Sequence, residues 1–126
     1  MTQQQIVAHW RKGSRDSMEV ARMCLEAQKF EHALFAAHLA VEKALKARFI
    51  EKHDDAAPFT HELHALASHI PLNLSGEQIS LLREMSRLAV RARYADHQWS
   101  EEQATAKNAE YWVSRAEELL QSILES

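Results

Sequence analysis

The segment His32–Lys52, HALFAAHLAVEKALKARFIEK, constrains the fold more than any other part of the chain. Alanines run through it, and a Glu42-Lys43 pair sits at its middle. Leu34, His38, Val41 and Leu45 form one stripe at helical spacing; Phe35, Leu39, Glu42, Lys46 and Phe49 form another. A helix with one apolar stripe lies on a surface, whereas one with apolar residues on two sides is packed between neighbours. The segment is therefore expected to be the central helix of a small all-α bundle.

The flanking sequence supplies those neighbours. Residues 3 to 28 carry Ile6, Trp10, Gly13, Ser17, Val20, Ala21, Cys24 and Leu25 in steps of mostly three and four, the period of a helix. Gly13 inside that stripe costs about 1 kcal/mol relative to alanine and signals either a close approach or a kink. Lys29-Phe30 reads as a joint, with the second helix running from about Glu31 to Lys52. After a polar loop at 53–59, Thr60 stands where an N-cap belongs, and a short helix is expected to run to about Ile70, where Pro71 ends it. Ser75 and Gln78 form a capping-box pattern that opens a fourth helix, with Ile79, Leu82, Met85, Leu88 and Ala89 inward. Ser100 and Gln103 repeat it for a fifth, which carries Ala104, Asn108, Tyr111, Trp112, Ala116, Leu119, Leu120 and Ile123. Residues 91–99 read as the non-helical stretch. No strand-like alternation is sustained, so the expectation is an up-down bundle of about five helices, with residues 1–126 as one domain.

Composition agrees. With two glycines and two prolines in 126 residues, little interrupts helix. The formal net charge of −3 means the molecule as a whole is not drawn to nucleic acid, so any RNA contact needs a local basic patch. Cys24 is the single cysteine and has no partner for an internal disulfide. The N-terminal sequence lacks a basic-then-apolar signal pattern, and no apolar run approaches the roughly 20 residues that span a bilayer. A cytoplasmic protein without membrane attachment is expected.

That patch lies in the second half of the chain. Arg83, Arg87 and Arg91 step by four, and Arg93 follows. Guanidinium forks on one face match phosphate oxygens; the alternative is a solvated face neutralised by Glu84, Glu101 or Glu102. Arg91 and His97 are a candidate catalytic pair. An arginine stabilises charge developing on a scissile phosphate, and a histidine moves the proton of a ribose 2′-hydroxyl or of the leaving oxygen, without a metal. Arg48 and His53 match the same loose spacing, and the alternative for His97 is an exposed loop residue. Tyr94 and Trp99 have the character of base-stacking aromatics or of plugs for the bundle end. Lys43 is a cation in a core helix, either a ligand contact or a stem snorkelling to the edge. Glu42 and Lys46 read as an ordinary i,i+4 pair. His61 and His64 are three apart, too few for zinc, and His61 is expected to close the start of the third helix by hydrogen bonding. No metal or cofactor is expected.

Several segments, in order, resemble the HEPN family: the opening helix with Trp10 and Ala21; Phe30-Glu31 with Ala33-Leu34-Phe35; the block His38-Leu39-Ala40-Val41-Glu42-Lys43-Ala44-Leu45-Lys46-Ala47; Thr60-His61-Glu62-Leu63; and Arg93-Tyr94-Ala95-Asp96. The last is similar to an Arg-Tyr-Pro-Asp element of one HEPN group, with Ala95 in place of proline. The resemblance covers about residues 5–124. It implies a helical bundle that pairs into a homodimer with a cleft at the interface, and an association with nucleotide or RNA chemistry. It also implies a nucleotidyltransferase partner, as in toxin–antitoxin pairs whose HEPN member is a ribonuclease. In those ribonucleases an Arg-x4-6-His motif does the chemistry, and Arg91 and His97 lie in the matching region. Ala92 departs from the polar residue usual after that arginine. The expected function is therefore a nucleotide- or RNA-binding module, ahead of a metal-independent endoribonuclease and then of a protein-interaction module. Arg83, Arg87, Arg93, Tyr94, Asp96 and Lys43 form the candidate ligand-binding set.

Overall fold

A computed structural model describes residues 1–93 and 102–125. Among them are five helices and no strand: α1 (Gln3–Glu26), α2 (Phe30–His53), α3 (Leu63–Ala67), α4 (Gly76–Arg93) and α5 (Ala106–Glu125). The expected all-α bundle is what the chain forms. Helix α2 packs against each of the other four and is the hub. Its alanines Ala33, Ala37, Ala40, Ala44 and Ala47 are almost fully buried, and their small side chains let neighbouring helices approach. Val41 and Leu45 fill the centre of the core with Met18, Leu63, Leu66, Leu82, Met85, Leu119 and Ile123.

Helix starts and stops follow local chemistry. The Thr2 hydroxyl accepts the Gln5 N–H at 3.1 Å and the Gln5 side chain accepts the Thr2 N–H at 2.9 Å, a reciprocal cap. Between α1 and α2 the chain turns through Gln28, at φ 61°. The Gln28 N–H returns to Leu25 O at 3.1 Å and the Lys29 N–H to Cys24 O at 2.8 Å, the paired bonds of a Schellman turn. Asp54 closes α2 in the same left-handed region. The Ser75/Gln78 box opens α4 as expected, with reciprocal bonds of 3.0 and 3.1 Å.

Four expectations need correction. Thr60 does not cap α3: Glu62 occupies the cap position, and the Thr60 hydroxyl accepts the Glu62 N–H two residues on. Helix α3 ends at Ala67 and continues as turns toward Ile70. Residues 91–93 are helical, because Arg and Ala are strong helix formers and nothing there breaks the ladder. Val20 and Phe35, read as inward, are 47% and 38% exposed, while Val7, Ser14 and Met18 of α1 are buried in their place. In α5, Thr105 accepts the Asn108 N–H at 3.2 Å at the helix start; Ser100 lies outside the described residues.

Candidate functional site

Helix α4 has two faces. Leu82, Met85, Ser86 and Ala89 are buried, and the Ser86 hydroxyl accepts the Leu63 N–H at 2.9 Å, tying α3 to α4. Arg83, Arg87 and Arg91 stand on the opposite, exposed face. Successive members are about 6 Å apart along the axis, four residues at the α-helical rise. Arg83 Nη2 lies 3.1 Å from His64 Nε2. None of the three forms a salt bridge with a carboxylate among the described residues; Glu84, on the same helix, does not neutralise them. Other arginines behave differently: Arg11 pairs with Glu51, Arg22 with Glu117 and Arg115 with Glu118. The arginine edge is thus a row of solvated cations available to an anion. Arg93 continues the helix; Tyr94, Asp96, His97 and Trp99 lie outside the described residues.

Lys43 belongs to a different place. Its ammonium donates to the Ser17 hydroxyl at 2.8 Å, across the seam between α1 and α2. Gly13 makes the room: a Cβ there would stand 3.3 Å from Lys43 Cδ. The glycine in the α1 stripe therefore accommodates a lysine stem.

A cluster not singled out by the sequence reading surrounds Glu42. That carboxylate is 4% exposed, inside the helical core. His61 Nδ1 lies 2.9 Å from its Oε1, and Lys46 Nζ 3.0 Å from its Oε2. His38 Nδ1, also buried, is 4.0 Å away. Lys46 in turn sits over the Trp10 ring at 5.5 Å from the centroid. Burial pushes the Glu42 carboxyl up, but hydrogen bonds from His61 and Lys46, with the charges on Lys46 and His38, outweigh it and hold its pKa below the ordinary value. His61 therefore does not close the start of α3; it reaches across to α2 and binds the segment before α3 to the hub. The sequence signal was the spacing His38–Glu42–Lys46, each four apart on one helix face. The sequence alone reads only the Glu42–Lys46 step there, as an ordinary i,i+4 pair, neither buried nor joined by His38 and His61.

Two more histidines meet at the end of α2. His53 Nε2 lies 2.7 Å from the His69 carbonyl, and Phe49 stacks on the His53 ring with centroids 4.3 Å apart. Among the described residues no group of three or more His, Cys, Asp or Glu is placed to hold a metal ion. No helix among them is long and apolar enough to cross a membrane.

Comparison with known proteins bears on the family. No curated protein matches the sequence significantly. The crystal structure of TT1696 from Thermus thermophilus superposes with a TM-score of 0.83, covering 94% of this chain and 96% of that one at 18% identity. At that identity the likeness speaks for the fold alone. The family model described as HEPN domain matches residues 7–126, nearly the whole chain. The bundle, its central helix and this match agree, and the chain belongs to the HEPN family.

Proposed function

We propose that this HEPN protein is a nucleotide- or RNA-binding module that works as a homodimer beside a nucleotidyltransferase partner. The observation that carries the reading is the unneutralised arginine edge of α4. In a molecule of net charge −3, three exposed guanidinium groups on one helix face are a local exception. Their chemistry favours phosphate, which accepts two parallel N–H bonds from a planar fork. Arg93, Tyr94 and Asp96, next in the sequence, complete the proposed set by their chemistry: a further cation for phosphate, a ring for a base and a carboxylate that accepts from a base amino group or ribose hydroxyl. Lys43, donating to Ser17 in the α1–α2 seam, stands apart from this edge and is left out of the proposed contact.

The test is binding of a single-stranded oligoribonucleotide at several salt concentrations. Wild type is expected to bind at low salt and to lose affinity steeply as salt rises, because arginines displace counterions from phosphates. Arg91→Ala is expected to weaken binding while leaving the circular-dichroism spectrum and Tm unchanged, since an exposed arginine contributes little to stability. RNA cleavage that survives EDTA, leaves a 2′,3′-cyclic phosphate and disappears in His97→Ala would replace this reading with metal-independent endoribonuclease action by Arg91 and His97. Neither binding nor cleavage at low salt would leave a protein-interaction module.

A further inference from the structure

Away from the arginine edge, the start of α1, the end of α2 and the 54–59 loop line a half-open pocket of about 660 Å³. That volume falls within the range of about 300–1,000 Å³ typical of small-molecule sites. Its walls are mostly apolar, with Ile6, Trp10, Ile50, Pro58 and Phe59 among them. Three residues with charged side chains line it, Lys46, Asp54 and Asp55, together with Met1 and its α-ammonium. Their balance decides what ligand fits. The Lys46 charge is already met by Glu42 at 3.0 Å, and its ammonium covers the Trp10 ring. Asp54 and Asp55 form no salt bridge among the described residues. Two carboxylates thus stand against the one α-ammonium of Met1, and the balance at the exposed edge of the apolar hollow is negative. Beside it Phe59 is 99% exposed, a whole aromatic face open to a ligand. Aromatic faces attract cations, and large apolar side chains gain by being covered.

We infer that this cavity is a binding site for a small organic cation with an apolar or aromatic body, its charge held by Asp54 and Asp55 and its body packed against Phe59 and the inner wall. The inference is independent of the arginine edge: anions belong there and cations here.

Three probes of one shape test it on the full chain: benzamidine (cationic), benzyl alcohol (neutral) and benzoate (anionic), each titrated against ¹⁵N-labelled protein. Benzamidine is expected to give saturable amide shifts at 54–59, with affinity on the order of millimolar, as suits so small a probe. It should bind at least about fivefold more tightly than benzyl alcohol, with benzoate weakest. Asp54→Asn with Asp55→Asn should abolish the preference for the cation without unfolding the protein, because both side chains are exposed and Asn tolerates the left-handed backbone at position 54 (φ 50°). Phe59→Ala should weaken benzamidine by about two- to fivefold. Tightest binding by benzoate, equal binding by all three, shifts confined to other surfaces or no saturable shift would each overturn the inference.

Discussion

Through its buried carboxylate, Glu42 joins the segment before α3 to the core helix. A carboxylate 4% exposed survives in a core only because neighbouring donors replace the water it lost. Glu42→Gln would keep acceptors for His61 or Lys46 but remove the charge opposite a part-buried ammonium. Breaking a buried pair in this way costs about 3 kcal/mol, and urea denaturation at neutral pH measures it. The pH dependence has a definite sign. The folded pKa of Glu42 is held below its ordinary value of 4.5, so its stabilisation is fully present above that value. It is lost as pH falls through the depressed folded value, where the unfolded chain has already taken up the proton. Wild type and Glu42→Gln are therefore expected to differ at pH 7 and to converge in acid. A gap undiminished at pH 3 would contradict this. The residue's identity and spacing were readable in the sequence. Its burial was not, because in a helix with alanine on most sides every face looks inward, and because His61 arrives from a loop whose path periodicity does not describe.

At the scale of the helix, the seam between α1 and α2 shows what a hydrophobic stripe conveys and what it omits. The α1 stripe was correctly helical, yet Val20 is exposed and Val7, Ser14 and Met18 are buried. Helix α1 meets both α2 and α5, so its buried face lies between two stripes rather than on one. The turn after α1 was legible only as a joint, since the left-handed residue is Gln28 rather than the glycine that usually announces one. Gly13→Ala tests the seam. Alanine gains about 1 kcal/mol of helix propensity, and the new Cβ asks Lys43 Cδ, 3.3 Å away, to move by a few tenths of an ångström. Because that atom belongs to a flexible stem, a modest rise in Tm is expected, and a fall would mean the Lys43–Ser17 bond holds the stem rigidly. On α4 the arginines act as a set. If each displaces counterions from a single strand, replacing Arg83, Arg87 and Arg91 with alanine should lower the slope of log affinity against log salt by about 2. A slope unchanged by the triple substitution would remove the edge from the binding surface.

For the whole molecule, the binding reading turns on the number of chains. Val20 and Met23 on α1, Phe35 on α2, Val90 on α4 and Tyr111 on α5 remain substantially exposed after the bundle has formed. Single exposed apolar side chains are ordinary on any surface. Here two of them, Val20 and Phe35, come from stripes whose periodicity marks them for burial, which a second copy would satisfy. A two-fold dimer is the commonest closed assembly and buries the same patch on both partners. It would also present two arginine edges to one RNA, so that the second contact forms within an existing complex and adds avidity without any new residue. Light scattering at micromolar concentration is expected to give twice the 14.5 kDa of one chain. Replacing Val20 and Phe35 together with glutamate should shift the mass to that of one chain while leaving helicity intact, because neither side chain is buried within the bundle. RNA affinity should fall in the same variant, although no arginine has changed. A variant that remains dimeric would place the interface elsewhere, and a wild-type mass of one chain would rule the dimer out.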